Sequence, residues 1–463
     1  MKRELINRRN LIGGIGAYCS LSACSQNGLH PPAPPPPQFA AAAFPLSTVP
    51  GTRHLIDASG EAFMIHGDTA WSLIADLSRE DALFYLDDRM ARGFNAILVS
   101  LLERKYARNA PANFYREQPF RTTDDYGQPN DAYFAHADWV LRQAQDRGIL
   151  ALITPSYLGW EGGSDGWYSA MLANGADKMR AYGRYLAQRF ELRSNIMWVH
   201  GGDFNPPNRG IVRAIAQGIR DGDRRALHTV HTTVDSTALS YWPDEEWLSV
   251  NTVYTRSSIS SVCAGEYRRS QAIPVFFIEG AYENEPTSAP PPAEDDLRRQ
   301  AYQAVLSGAF GHVFGNNPIW HFGGPGLYDA PTDWRGQLSS RGAQSMTLVR
   351  AILSRAEWPL LVPDLDGEFL IDGAGGGDER AVAAIASDRR TGIVYLPTSR
   401  RIGVNVGSIG GGVTLTWIDP SSGAPIAAAP GPFSGGPHFI APPGRNAANY
   451  RDWVLLAEAA EQV

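Results

Sequence analysis

The chain has 463 residues, 43% of them hydrophobic, enough for one large domain and a smaller one around a sizeable core. Its formal net charge is −7 with no basic block after the N-terminus, which argues against nucleic acid as a partner. Of three cysteines, Cys19 and Cys24 lie in the leader, so Cys263 alone cannot build a disulfide framework or a thiolate metal site.

Residues 1–24 read as targeting sequence. Lys2, Arg3, Arg8 and Arg9 precede an apolar segment from Leu11 to Leu21, and Leu21-Ser22-Ala23-Cys24 resembles a bacterial lipoprotein processing site with lipid on Cys24. Arg8-Arg9 followed by Asn-Leu-Ile resembles a twin-arginine export signal. An ordinary exported precursor cut elsewhere is the rival. The apolar stretch is too short for a permanent membrane helix. The expected location is outside the cytoplasm, at the bacterial cell envelope, with the membrane as a partner through the lipid. Residues 25–50 include a Pro/Ala-rich run from Pro31 to Pro45, the composition of an extended tether.

Over residues 51–357 strand and helix alternate. Phe63–His66 predicts a strand ending in Gly67-Asp68, and Ser78 an N-cap, with Asp81 three residues on, for a helix to Ala91. Phe94–Ser100 is the second strand. The polar, aromatic stretch from Glu103 to Asp131 is far longer than an ordinary connection and predicts a site wall. A helix over residues 132–147 leads to Ile149–Thr154, and an aromatic loop with Tyr157, Trp160, Glu161 and Trp167 follows. A helix over residues 176–190 feeds the fourth strand, Ile196–Val199, which stops at His200-Gly201-Gly202-Asp203. The fifth strand is Leu227–Thr232 and the sixth Ser249–Tyr254. A polar segment over residues 257–269 precedes the seventh, Pro274–Glu279. A helix over residues 295–307 and a short eighth strand, His312–Phe314, complete the series.

Eight short apolar strands alternating with helices is the period of a (β/α)₈ barrel. An open doubly wound sheet is the rival, but no glycine fingerprint follows the first strand. In a barrel all strand C-terminal ends open on one face, bringing Asp68, Asp203, His231, Glu279 and Trp320 together there. After Trp358 helical patterning nearly vanishes and six short strand candidates follow, with an edge strand before Pro363. Residues 358–463 therefore read as a β-sandwich whose main role is packing.

Two carboxylates from separate strand ends, Asp203 and Glu279, suit acetal cleavage: one protonated for the leaving oxygen, the other ionised to attack or to activate water. A gap of roughly 5 Å implies retention and roughly 6.5–9.5 Å inversion. Glu283 and Glu285 lie close to Glu279, and Glu283 and Glu161 stand as alternates. In the alternative structural reading Asp203 or Asn205 caps a turn. His66, Asp68, His200, Asp203, His231, Glu279 and His312 offer metal-type donors, yet no zinc-protease motif occurs, so no metal or other cofactor is expected. A metal hydrolase and a non-catalytic glycan-binding lipoprotein are the alternatives to a glycosidase.

With HGDTAW at His66–Trp71, RGFNAILVS at Arg92–Ser100, IMWVHGGDFNP at Ile196–Pro206, FIEGAYE at Phe277–Glu283 and FGHVFGNNPIW at Phe310–Trp320, the sequence resembles the apiosidase-like glycoside hydrolases. These pair a barrel with a C-terminal β domain once described as collagen-binding. The resemblance implies a retaining, exo-acting enzyme on a carbohydrate substrate, releasing apiose or a related pentose from plant glycans or glycosides. It implies Asp203 as acid/base, Glu279 as nucleophile and Asp68 in the sugar subsite. Trp71, His200, Asn205, His231, Tyr282 and Trp320 are the further expected substrate-binding residues.

Overall fold

The computed structural model describes residues 39–271, 273–288 and 290–460. The leader, Cys24 and the first part of the tether lie outside them. From Phe39 the tether run is laid against the barrel: the Arg350 guanidinium sits 3.8 Å over the Phe39 ring, and Leu46 is buried. Ser47–Thr48, Leu55–Ile56 and Ala62–Phe63 form a small antiparallel sheet, so Phe63 belongs there rather than to the barrel.

Eight parallel strands follow: β1 (Ile65–Thr69), β2 (Ala96–Ser100), β3 (Leu150–Thr154), β4 (Ile196–Gly201), β5 (Leu227–His231), β6 (Asn251–Tyr254), β7 (Val275–Glu279) and β8 (Gly311–Phe314). They pair in the order β5-β4-β3-β2-β1-β8-β7-β6, with Ser236–Thr237 added antiparallel to β6. The ring is nearly closed. At the β5/β6 seam no ladder forms, but Ser249 N and Val250 N donate to His228 O at 3.0 and 3.2 Å. Thr229 Oγ1 donates to Val250 O at 2.7 Å, and the Thr252 hydroxyl to Val230 O. Threonines thus serve where the backbone does not reach.

Strand alternation sorts the side chains into two layers. Leu98, Leu152, Met197, Val199, Phe276 and Ile278 fill the barrel interior, while Ile97, Ile153 and Trp198 face the helices. Those helices are α1 (Arg79–Ala91), α2 (Asp131–Gln145), α3 (Tyr168–Arg189), α4 (Arg209–Gly222), α5 (Ile259–Tyr267), α6 (Glu294–Val305) and α7 (Arg341–Arg355). Ser78 Oγ accepts from Asp81 N at 3.1 Å, as its spacing predicts. Two helices depart from expectation. α3 begins two turns early because the break at Gly175 (φ +76°) interrupts it without ending it. α5 replaces the polar segment, since only Ile259, Cys263 and the partly buried Val262 mark its apolar face, too few for periodicity to show.

The C-terminal domain is a sandwich of a six-stranded and a three-stranded antiparallel sheet, the first including the edge strand Leu361–Pro363. Pro425–Ala427 and Pro437–Ile440 are strands the sequence does not signal; each opens with proline at a sheet edge and keeps much of its surface in solvent. Barrel and sandwich share one apolar cluster, in which Tyr302 of α6 stacks on Tyr395 with ring centroids 4.5 Å apart. At its edge Arg298 makes a bidentate pair with Asp452 at 2.8 and 3.0 Å, both side chains fully buried. Ser345 Oγ accepts from Arg298, and Tyr395 and Asn446 donate to Asp452, so each guanidinium nitrogen and each carboxylate oxygen has a partner.

Removing one partner of such a pair strands the other charge, so Asp452→Ala should cost about 3–5 kcal/mol in urea unfolding. Barrel and sandwich signals should shift together; a sandwich-only shift would contradict a shared core.

Candidate active site

The open end of the barrel holds both carboxylates. Asp203 follows β4 across Gly201 (φ +90°) and Gly202 (φ +121°) and itself takes a left-handed φ of +49°. Neither glycine is replaceable. A Cβ on Gly201 would lie 2.3 Å from His231 O, and one on Gly202 2.2 Å from the Tyr157 ring. A non-glycine residue at positive φ costs about 1–3 kcal/mol and persists only where its surroundings hold it. Here Gly202 N donates to His231 O at 2.9 Å, and Asp203 N donates to His231 Nδ1 at 3.2 Å.

That last bond sets the histidine. With Nδ1 accepting, the proton of neutral His231 sits on Nε2 and is donated to Glu279 Oε2 at 2.6 Å. Glu279 ends β7 where the register slips: Val253 pairs with Phe277 and Tyr254 with Glu279, leaving Ile278 as an extra residue. A bulge re-aims the next side chain, and the carboxylate enters the mouth instead of following the alternation outward. A carboxylate oxygen of Asp203, one of Glu279 and a ring nitrogen of His231 all lie within 4.8 Å of one another. Burial first, then the negative charge of Glu279, pushes the Asp203 carboxyl up to about 6; the Tyr157 and Tyr254 hydroxyls pull the other way. Tyr157 donates to Asp203 Oδ2 at 2.6 Å. Asp203 therefore keeps its proton to a higher pH than an ordinary aspartate.

Both carboxylates line a cavity of about 490 Å³. Trp71, Tyr282 and Trp320 form apolar wall, with the Trp71 indole donating to the Tyr282 hydroxyl at 3.1 Å. The long loop after β2 supplies Glu103, Lys105 and Tyr106, as a site wall should. Glu103 is fixed by Ser72 Oγ and by the backbone N–H groups of Lys105 and Tyr106.

Several expected residues are elsewhere. Asp68 points outward from β1 and is fully buried between Tyr85 (2.7 Å) and Arg89 (3.3 Å) of α1, so it does not line the cavity. His200 also faces the helix layer, bonded to His228 at 2.9 Å and stacked on it. Asn205 braces its loop through Ser236 Oγ and Thr233 N. Glu283 turns away to anchor the start of α7 through Ser340, Gly342 N and Asn316. Glu161 is exposed and outside the cavity lining. Strand parity could have revealed Asp68 and His200, since both alternate with interior residues. Tyr254, Arg256 and Glu285 line the cavity without a sequence signal beyond their nearness to strand ends, and Tyr328 lines it from far along the loop after β8.

Among the described residues, Asp203, His231 and Glu279 are the one group of three or more metal-type donors in reach of one another. Both ring nitrogens of His231 are engaged by Asp203 N and Glu279, and a 2.6 Å contact leaves no room for an ion between donor atoms. The arrangement fits proton transfer, not coordination.

Residues 49–359 match the family model described as "Apiosidase-like, catalytic domain", and residues 362–458 that described as "Putative collagen-binding domain of a collagenase". A solved structure named "Glycoside hydrolase" superposes with a TM-score of 0.78 at 23% identity, covering 91% of this chain and 98% of its own. A glycoside hydrolase family 5 structure from Bacteroides vulgatus gives 0.78 at 22% identity, with 91% and 95% covered. At these identities the likeness concerns the fold. No curated protein sequence matches the chain.

Because the Asp203 carboxyl is raised from 3.8 to about 6, the native protein keeps a proton that the unfolded chain has lost between roughly pH 4 and 6. Stability from this group therefore falls as pH rises through that window. Asp203→Asn should stabilise the protein by about 1–3 kcal/mol at pH 7 and by nothing at pH 4, read by urea unfolding at both values. An equal change at both would separate the effect from titration.

Proposed function

We propose that this chain, which belongs to the apiosidase-like family of glycoside hydrolases, is a retaining enzyme that releases a terminal pentose, apiose or a close relative, from plant-type glycans or glycosides. That it is a glycosidase follows from the family. Retention is supported by one observation: an oxygen of Asp203 and one of Glu279 lie within 4.8 Å of each other, nearer the roughly 5 Å spacing of a retaining pair than the roughly 6.5–9.5 Å of an inverting one. Terminal release is supported by the walls that the loops after β2 and β8 raise around the cavity. The pentose rests on the family resemblance.

In the first step protonated Asp203 donates to the glycosidic oxygen while Glu279 attacks the anomeric carbon. His231 Nε2–H stays on Oε2, leaving the other carboxylate oxygen free for attack and orienting it. Once Glu279 is esterified its charge is gone, the push that kept Asp203 protonated weakens, and ionised Asp203 takes a proton from the incoming water. Attack of that water on the anomeric carbon releases the sugar and restores both carboxyls. A metal-dependent hydrolase has less support, because the one donor cluster is already internally bonded. Export and lipid anchoring through Cys24 are a separate proposal resting on residues 1–24; labelling of cells with a palmitate analogue should mark the protein and fail with Cys24→Ser.

A panel of chromogenic pentosides and hexosides, including apiosides and arabinosides, tests the reading. Glu279→Ala should remove turnover. Asp203→Ala should lose ~10²–10⁴-fold on poor leaving groups and far less on a dinitrophenyl glycoside. The sugar first released should keep its anomeric configuration by proton NMR; the inverted anomer would sink the double displacement. With poor leaving groups kcat/KM should fall as pH rises through about 6, where Asp203 loses its proton, and exhaustive chelation should change nothing.

A further inference from the structure

One large aromatic ring of the cavity does no packing. Trp160, in the loop after β3, lines the cavity with 46% of its surface exposed and belongs to none of the apolar clusters among the described residues. Its loop neighbours Leu158 and Trp167 are instead buried in the layer between strands and helices. A single exposed tryptophan is ordinary on a surface, but this one is held in place. Trp160 N donates to Asp165 Oδ2 at 3.1 Å, Gly163 N to Trp160 O at 2.9 Å, and Trp167 N to Tyr157 O at 2.8 Å. Gly159, at φ +95°, and Gly166 pack so closely that a Cβ on Gly166 would lie 2.0 Å from Gly159 N. The loop therefore presents the indole at the rim on a fixed main chain.

Its side of the cavity follows from bonds to the acid. Tyr157 donates to Asp203 Oδ2 at 2.6 Å, and Glu161 N donates to Asp203 O at 3.3 Å. Gly162 packs on the ring of Phe204, where a Cβ would come within 2.9 Å. Trp160 is thus carried on the segment that grips the turn bearing Asp203. Asp203 protonates the glycosidic oxygen, the atom that departs with the leaving group. An exposed ring on that segment, farther out than the acid itself, stands beside the departing group. We propose that Trp160 is the leaving-group platform, its ring face stacking on an uncharged ring to which the released sugar is joined. Aryl and pyranose rings share the needed chemistry, an apolar face. The cavity lining sets five carboxyls against Lys105 and Arg256, which disfavours an anionic ring. The inference rests on the reading of the cavity as a glycosidase site and assigns the part of the substrate that reading leaves open.

The test reads binding as well as turnover. Phenyl and methyl 1-thioglycosides of each sugar in the panel, and the thio-linked disaccharides with glucose, are titrated by calorimetry against native protein, Trp160→Phe and Trp160→Ala. Sulfur accepts a proton poorly, so these ligands stay intact in the site. Native protein should bind the phenyl ligand more tightly than the methyl one by on the order of 10-fold. Trp160→Phe should keep most of that preference and Trp160→Ala should lose it. A matching loss on the disaccharide marks a sugar as the leaving group, and a loss confined to the phenyl ligand marks an aryl group. In turnover the added loss on ring-bearing leaving groups should appear mainly in KM and persist on the dinitrophenyl glycoside, where Asp203→Ala is rescued. Three results would each overturn the proposal: no ring preference in native protein, a preference kept by folded Trp160→Ala, or equal losses on methyl glycosides with a displaced pH profile. The last would make Trp160 a support for Asp203. Retained turnover in Glu279→Ala would strike the catalytic assignment, and preference for a hexose would strike the pentose; the comparison of phenyl with methyl ligands stands in both cases.

Discussion

Two carboxylates held within 4.8 Å in a partly enclosed cavity repel each other, and the cost of ionising both shapes everything around them. The structure meets that cost in two ways. Burial and the charge of Glu279 raise the Asp203 carboxyl to about 6, and a single imidazole spans the pair, accepting from the Asp203 backbone and donating to Glu279. The same histidine thus fixes the left-handed turn after β4 and the rotamer after β7. A change at His231 would act on both carboxyls at once, which makes it a positioning residue, although it was expected to touch substrate.

Holding those groups to within a fraction of an ångström requires a stiff frame. The barrel interior provides it through interdigitated aliphatic side chains, and the seam through threonine hydroxyls. The sandwich contributes from outside. Its Asp452 is buried against Arg298 of α6, the helix that connects β7 to β8 and so the strand bearing Glu279 to the strand preceding Trp320. The C-terminal domain therefore acts here as part of the barrel's outer packing, whatever else it binds.

The barrel was legible because buried parallel strands are short apolar runs bounded by glycine, acids and turn residues, and eight such runs occur in order. Ser78 and Asp81 announce α1 because capping is a local interaction. Legibility fails where the deciding interaction is not local. Chain position shows nearness to a strand end but not which face is used, so the sequence puts Asp68 at the mouth and His200 among the substrate-binding residues, whereas both lie in the helix layer. Glu283 and Glu285 differ by two residues and by environment entirely: one anchors α7, the other faces the cavity.

The sequence by itself determined the alternation of strands and helices, the change to a β domain after residue 358, and the two strand-end acids, since all of these follow from local composition and period. Only the tertiary structure decided how the acids are used. The bulge at Ile278, the close approach of Gly201 to the β5 carbonyl and the imidazole between the carboxyls arise where strands meet that are distant along the chain. The Asp203 carboxyl is raised by burial and by a charge 76 positions away in the chain, as the residue numbers themselves show. Charge and burial are properties of the assembled space, and a residue's own neighbours in sequence do not carry them.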